Sequence, residues 1–314
     1  MNGNSDHPIL TSLHLLLTLQ CNFECDHCFV WGSPWLTETF TISEIRDVLE
    51  QARLMSTVEQ IYFEGGEPFL YYPTLLNAVK LAFEAGFQVG VVSNGYWALS
   101  EEDAIECLRP FTGLLSDLSV SSDLFHYSHV QSTQSHFAAS AAARLGIPTG
   151  VICIAQPEAT NAKSSLGMIE SGKNTEGSRV MCRGRAAKTL AQLFKKEPAE
   201  KFSECPHEDL QSPGRVHLDP MGNLFICQGI LIGNIFKLPL QQVWENYNPK
   251  RHPILGPLII GGPAGLARRF GVDTTEGFAD ACHLCYHTRN SLRKDFPDIL
   301  APDQMYGGGS GEPK

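Results

Sequence analysis

Three cysteines fall within the eight residues Cys21–Cys28, with three and then two residues between them, directly after the apolar run Leu13–Leu19. An apolar run of that length ending in a loop reads as a buried strand. The cysteines therefore sit on the loop leaving a first strand, where α/β enzymes place their chemistry. A tight loop can aim three thiolates at three irons of an iron–sulfur cube and leave the fourth iron without a protein ligand. Zinc is a competing reading, but the one nearby candidate for a fourth ligand, His27, lies between two of the cysteines. A disulfide plus a spare thiol needs an oxidising compartment, and nothing in the sequence marks the protein as secreted.

A second motif, Glu64-Gly65-Gly66-Glu67-Pro68, follows the short strand pattern Gln60–Phe63, where the next β/α turn belongs. The pair of motifs resembles the radical S-adenosylmethionine (SAM) superfamily over roughly residues 10–195. That resemblance implies a [4Fe–4S] cluster on Cys21, Cys25 and Cys28, with SAM chelating the vacant iron through its amino and carboxylate groups. Gly65 and Gly66 would let backbone approach the methionine moiety, and Glu67 would accept hydrogen bonds from its ammonium. Pro68 would stiffen the loop exit, and His27 would pack on adenine. Ser93, Asn94 and Ser121 would hold ribose hydroxyls or the carboxylate. The implied chemistry is one-electron cleavage of the sulfonium to a 5′-deoxyadenosyl radical that takes hydrogen from a substrate. A flavodoxin- or ferredoxin-type reductant would supply the electron.

Composition narrows the partners. A net charge of −10 with no basic stripe argues against nucleic acid. Hydrophobic content of 43% and charged content of 18% describe a soluble globular chain, and no apolar stretch is long enough to span a bilayer. Ile9–Leu19 has no Lys or Arg before it, which argues against a signal sequence. Ten cysteines without an export signal fit a reducing cytoplasm.

At 314 residues the chain has room for about two domains. After the cysteine loop, Thr41-Ile42-Ser43-Glu44 opens a helix to about Met55 as a capping box. Helices over Pro73–Ala85, Glu101–Leu108 and Gln134–Leu145 alternate with strands over Gln88–Val92, Leu114–Ser121 and Thr149–Ala155. A helix near Ala162–Glu170 and a sixth strand at Arg179–Cys182 complete the series. Such alternation implies parallel strands with right-handed crossovers. The fold the resemblance implies is an α/β (β/α)6 partial TIM barrel over residues 1–195, followed by a small α+β iron–sulfur domain over 196–305 and a disordered tail over 306–314. Lys195–Ser203 reads as the linker, Val216–Cys227 as a hairpin, and Cys282–Lys294 as a final helix.

Cys205, Cys227, Cys282 and Cys285 all follow the linker. The array resembles the twitch extension of radical SAM enzymes, a single-cluster relative of the SPASM domain, which implies an auxiliary [4Fe–4S] cluster. A four-cysteine zinc site that staples a small domain is the alternative. Asp123, His126 and His129 follow the fourth strand and are candidate substrate contacts or proton carriers. Cys182 is a candidate spare ligand or hydrogen donor, although packing suits it, Cys153 and Cys107 better. Arg183-Gly184-Arg185 is a candidate contact to substrate or to the second cluster. Gly167–Asn174 nearly spells a phosphate loop but lacks its Ser/Thr and a preceding strand.

Three functions compete. The first is oxidation of a small molecule, with the second cluster accepting or relaying an electron. The second is maturation of a ribosomally made peptide; the dozen or so residues before the first strand argue against a built-in peptide-binding wing. The third is a non-catalytic iron–sulfur electron carrier, which the intact motifs disfavour.

Overall fold

The structure, a computed structural model, describes residues 7–123, 125–126, 132–154 and 179–308. Strand and helix alternate through its first half: β1 (Ser12–Thr18), α1 (Ile42–Leu54), β2 (Gln60–Gly65), α2 (Tyr72–Glu84), β3 (Gln88–Ser93), α3 (Glu101–Leu108), β4 (Asp117–Ser121), α4 (Thr133–Arg144) and β5 (Thr149–Ile152). Neighbouring strands run parallel from β1 to β5. β1 is an almost unbroken leucine run because both its faces are covered, and Leu13, Leu15, Leu16 and Leu17 are fully buried. α1 begins at the expected capping box: Thr41 N donates to the Glu44 carboxylate at 2.7 Å, and Glu44 N donates to Thr41 Oγ1 at 3.3 Å. In α4 the small side chains Ala138, Ala141 and Ala142 are fully buried, so the helix can pack closely.

The expected sixth strand at Arg179–Cys182 does not form. That segment is irregular, and Cys182 N donates to the Asp280 carboxylate at 2.9 Å instead of to a strand. It leads into a short helix, α5 (Ala186–Thr189). The sheet grows at its other edge: β6 (Arg215–Leu218) lies parallel to β1, and β7 (Asn223–Cys227) and β8 (Ile230–Asn234) follow antiparallel. The result is one eight-stranded mixed sheet in the order β5-β4-β3-β2-β1-β6-β7-β8. Among the described residues, five strands of the first half are therefore parallel, and the sixth parallel strand comes from beyond the linker.

Among the described residues that follow, three α-helices are formed: α6 (Leu240–Glu245), α7 (Leu255–Phe270) and α8 (Ala281–Ser291). α7 is kinked at Gly261 and Gly262, whose backbone leaves helical values. The Lys195–Ser203 segment is packed, not a loose linker: Glu197 and Phe278 exchange two backbone hydrogen bonds of 2.8 Å, and Ala199 is buried. Nor does a disordered tail begin at Tyr306. That residue ends a 3-10 turn, is buried, and donates its hydroxyl to Gly229 O at 2.6 Å. The expected helix at 162–170, the phosphate-loop-like stretch 167–174 and His129 lie outside the described residues. No helix among the described residues is long and apolar enough to cross a membrane.

Candidate functional site

Cys21, Cys25 and Cys28 line one cavity of about 260 Å³ past the C-terminal ends of β1 to β4. The loop carrying them is held from the far half of the chain. Arg185, itself buried, donates to Cys25 O at 2.7 Å and to Gly32 O at 2.8 Å, and its backbone N donates to Cys28 O at 2.9 Å. Thr189 Oγ1 adds a bond to Asp26 O at 2.9 Å. Gly184 has a positive φ of 58°, and a Cβ there would sit 2.5 Å from Cys28 O, so the Arg183–Arg185 segment runs against the cysteine loop at backbone contact. The sulfurs receive donors: Gly32 N to Cys28 Sγ at 3.2 Å, Phe23 N to Cys21 Sγ at 3.4 Å and Asn94 Nδ2 to Cys21 Sγ at 3.7 Å. Such contacts stabilise thiolate ligands and tune the metal they hold. Burial pushes the Cys21 thiol up to about 12, so without a metal this thiol is protonated, and metal binding must displace its proton.

Gly65 and Gly66 line the same cavity. Their lack of side chains serves a contact that the motif alone did not reveal. A Cβ on Gly66 would lie 1.9 Å from Gln20 O, and one on Gly65 would lie 2.3 Å from Thr18 O. Gly66 N donates to Thr18 O at 2.7 Å and Glu67 N donates to Gln20 O at 2.8 Å, so this loop is fastened edge-on to the chain entering the cysteine loop. Glu67 is fully buried. Its carboxylate accepts from Phe69 N at 3.0 Å, Ser93 Oγ at 2.9 Å and Asn94 N at 2.7 Å. Burial pushes that carboxyl up to about 7 despite these donors. Pro68 is also buried, at the start of a 3-10 turn. Neither residue borders the cavity, whereas Ser93, Asn94 and Ser121 do. Asn94 is fixed by a 2.9 Å bond to Asn22 Oδ1.

Of the other expected residues, His27 and His126 face the cavity, their rings 5.2 Å apart. Burial pushes the His27 imidazole down to about 4, so it stands neutral at ordinary pH. Asp123 lies beneath them and bonds His126 Nδ1 at 2.7 Å. Cys182 is removed from the cavity lining and packs with Val180, Ala186 and Leu190, which makes it a core thiol.

Cys205, Cys227, Cys282 and Cys285 line a second cavity, of about 30 Å³. β7 supplies Cys227, and the first turns of α8 supply Cys282 and Cys285 behind the N-cap Asp280. Two guanidinium groups border it, that of Arg289 buried and that of Arg183 largely covered. Arg183 is paired with Glu208 at 3.1 Å, and Arg289 donates to Gln228 O at 2.7 Å. Burial pushes Cys285 up to about 11. Arg183 borders both cavities and stacks over Phe29, which borders the first, so this pair forms the wall between them.

All-thiolate donor sets of three and four are compatible with iron–sulfur clusters, and the set of four with zinc as well. In neither cysteine set do three sulfurs lie within 4.8 Å of one another. A tetrahedral zinc with bonds near 2.3 Å needs sulfurs about 3.8 Å apart. The two arginines by the second set would offset the negative charge of four thiolates around an iron–sulfur cube held there.

The sequence reading missed His14, Glu64 and His217, of which Glu64 borders the first cavity. Burial alone would push the Glu64 carboxyl up, but contacts with His14 and His217 outweigh it and hold the group below the usual carboxylate range. The available signal was a polar residue interrupting an apolar strand, in Leu13-His14-Leu15 and again in Val216-His217-Leu218.

Known proteins resemble this chain chiefly over the segment that carries Cys21, Cys25 and Cys28. A model described as the radical SAM superfamily matches residues 15–123. YydG of Bacillus subtilis (strain 168), named as a peptide biosynthesis protein, is 31% identical over 118 residues, 37% of each chain. An S-adenosylmethionine-dependent nucleotide dehydratase of Fibrobacter sp. (strain UWH6) is 28% identical over 122 residues, 35% of this chain and 33% of that one. The matched stretch thus spans about a third of these relatives' length. Among solved structures, SuiB of Streptococcus suis bound to the precursor peptide SuiA superposes with TM-score 0.58 at 12% identity, over 88% of this chain and 76% of that one. BtrN in complex with AdoMet and 2-DOIA gives 0.52 at 16% identity, over 82% and 90%. At these identities the structural matches speak to fold alone.

Proposed function

We propose, from the match of residues 15–123 to the radical SAM superfamily model, that the chain is a radical SAM enzyme with a second iron–sulfur site in a twitch-like C-terminal unit over residues 196–305. The observation that carries this is the convergence of Cys21, Cys25 and Cys28 with Gly65, Gly66, Ser93, Asn94 and Ser121 on one cavity. The three cysteines would hold a [4Fe–4S] cluster with one iron open to SAM. When bound, that pair supplies one-electron cleavage of the sulfonium and hence a 5′-deoxyadenosyl radical for hydrogen abstraction.

This chain's own residues do the rest. Arg185 fixes the loop so that the thiols keep a constant spacing. Glu67 locks Ser93 and Asn94 at the strand ends, which leaves Asn94 and Ser121 to meet polar groups of SAM. His27, neutral and cavity-facing, offers a flat ring to adenine. Phe29, Val180 and Met181 line the wall and keep water from a reactive intermediate. Cys205, Cys227, Cys282 and Cys285 would hold the second [4Fe–4S] cluster, with Arg183 and Phe29 as the barrier an electron crosses.

Oxidation of a small molecule suits an electron acceptor in that position. The relation to YydG favours a second reading, modification of a peptide. The test is anaerobic: reconstitute iron and sulfide, add SAM and dithionite, and measure 5′-deoxyadenosine. Cys28→Ala is expected to abolish it. Formation unchanged in that variant contradicts the proposal. A short peptide encoded beside this protein that raises 5′-deoxyadenosine yield and is itself modified would decide for the second reading.

A further inference from the structure

Three side chains from three adjacent strands converge beside the first cavity and have no part in the reading above. His14 on β1 is in register with His217 on β6 and with Tyr62 on β2, and Glu64 lies two residues beyond Tyr62 on the same face. His14 Nδ1 is 3.5 Å from Glu64 Oε2, and His217 Nε2 is 3.1 Å from Glu64 Oε1. Close as they are, these contacts lack hydrogen-bond geometry: His14 Nδ1 and Glu64 Oε1 are buried with no hydrogen-bond partner, as is His217 Nδ1. Buried polar atoms are almost always satisfied, by water or an ion where protein does not do it. Atoms that come this close without hydrogen bonding to one another behave like ligands of a common ion. Donors bound at 2.0–2.2 Å stand about 3.0 Å apart along an octahedral edge and about 3.4 Å along a tetrahedral one. The 3.1 Å spacing lies between these values and the 3.5 Å spacing just beyond the tetrahedral one.

We propose that His14, Glu64 and His217 bind one divalent first-row transition ion. Two imidazoles and a carboxylate suit zinc or ferrous iron, with positions left open for further ligands. The strands hold the donors rigidly: the Tyr62 ring stacks on His14 at 4.6 Å, and Phe29 meets His217 edge-on at 6.1 Å. Because Glu64 borders the cavity, the open positions face it and take a hydroxyl or carboxylate oxygen of the substrate. That substrate role rests on the function proposed above; the ion site does not. The other histidine–carboxylate group, His27–Asp123–His126, is a weaker candidate because a 2.7 Å hydrogen bond between His126 and Asp123 already satisfies two of its atoms.

The test uses the full chain with its iron–sulfur sites reconstituted, dialysed anaerobically against micromolar Zn²⁺ or Mn²⁺ and assayed by elemental analysis. One ion per chain beyond the iron is expected, with affinity at least about tenfold weaker in Glu64→Gln and in His217→Ala. Asp123→Asn should leave it unchanged. Thermal melts guard against misfolding: the ion should raise Tm in the wild type and leave the folded Glu64→Gln variant unmoved. Absence of the extra ion in the wild type, or equal binding in both triad variants, overturns the proposal. The readout needs no SAM cleavage, so it stands or falls apart from the radical chemistry.

Discussion

Replacing Gly66 by alanine separates two accounts of the Gly65–Gly66 pair. If the glycines serve only to admit a ligand, the variant should fold normally and lose SAM affinity. The structure leads to a different result. The new Cβ would sit 1.9 Å from Gln20 O and 2.4 Å from its carbonyl carbon, against an ordinary contact of 3.4 Å or more. Backbone must therefore give way by about 1.5 Å, because no flexible side chain is there to move. A displacement of that size breaks the bonds from Gly66 N to Thr18 O and from Glu67 N to Gln20 O, 2.7 and 2.8 Å long. Two buried backbone bonds left unmade cost roughly 2–5 kcal/mol together. In a chain of this size that corresponds to a fall in Tm of about 4–10 °C. Differential scanning calorimetry of the apoprotein reads it directly. A Tm within about 1 °C of wild type, together with weakened SAM binding, would refute the packing argument and restore the ligand-space one.

Other predictions concern the neighbouring groups. Arg185→Met removes two charge-assisted bonds to Cys25 O and Gly32 O, so it should lower stability by about 3 kcal/mol and reduce iron loading at the first site, read by denaturant melts and iron assay. Glu67 has a folded-state carboxyl raised to about 7 from 4.5; its neutral form is favoured in the fold, so its contribution is complete below pH 4.5 and is lost as pH rises through 7. Urea titrations should show wild-type stability falling over that window by up to roughly 3 kcal/mol more than Glu67→Gln does. Cys227→Ala should halve the iron content, from about eight to about four per chain, while 5′-deoxyadenosine still forms. Unchanged iron in that variant would remove the second cluster from the account.

The part of the molecule readable from sequence is the part whose signals are local. The leucine run of β1, the Thr41–Glu44 capping box and the bounds of α3 follow from neighbouring residues, and each stands where it was expected. The pairing of β6 with β1 joins residues some two hundred positions apart, and nothing in Arg215–Leu218 alone names that partner. Arg179–Cys182 has a strand-like composition, yet it threads between the two cavities, where Asp280 takes its backbone donor. α7 was hidden by Gly261-Gly262-Pro263, because those residues break helices in general. Here Gly262 turns through φ 60° to lie against the backbone of Ser203 and Glu204. At the site, spacing grouped Cys21, Cys25 and Cys28, and only the resemblance to the twitch extension grouped Cys205, Cys227, Cys282 and Cys285; the two sets line two cavities. Glu67 was assigned to the ligand by its motif, whereas its carboxylate is spent on Phe69, Ser93 and Asn94.

The claim on which the account rests is an incompletely ligated iron at Cys21, Cys25 and Cys28. Mössbauer spectroscopy of the ⁵⁷Fe-reconstituted full chain, recorded before and after SAM is added, tests it most directly. The account predicts that about one iron in eight changes its isomer shift and quadrupole splitting on SAM addition, and that the change is absent in Cys28→Ala. Spectra that SAM leaves untouched, in protein shown to carry both clusters, would contradict it.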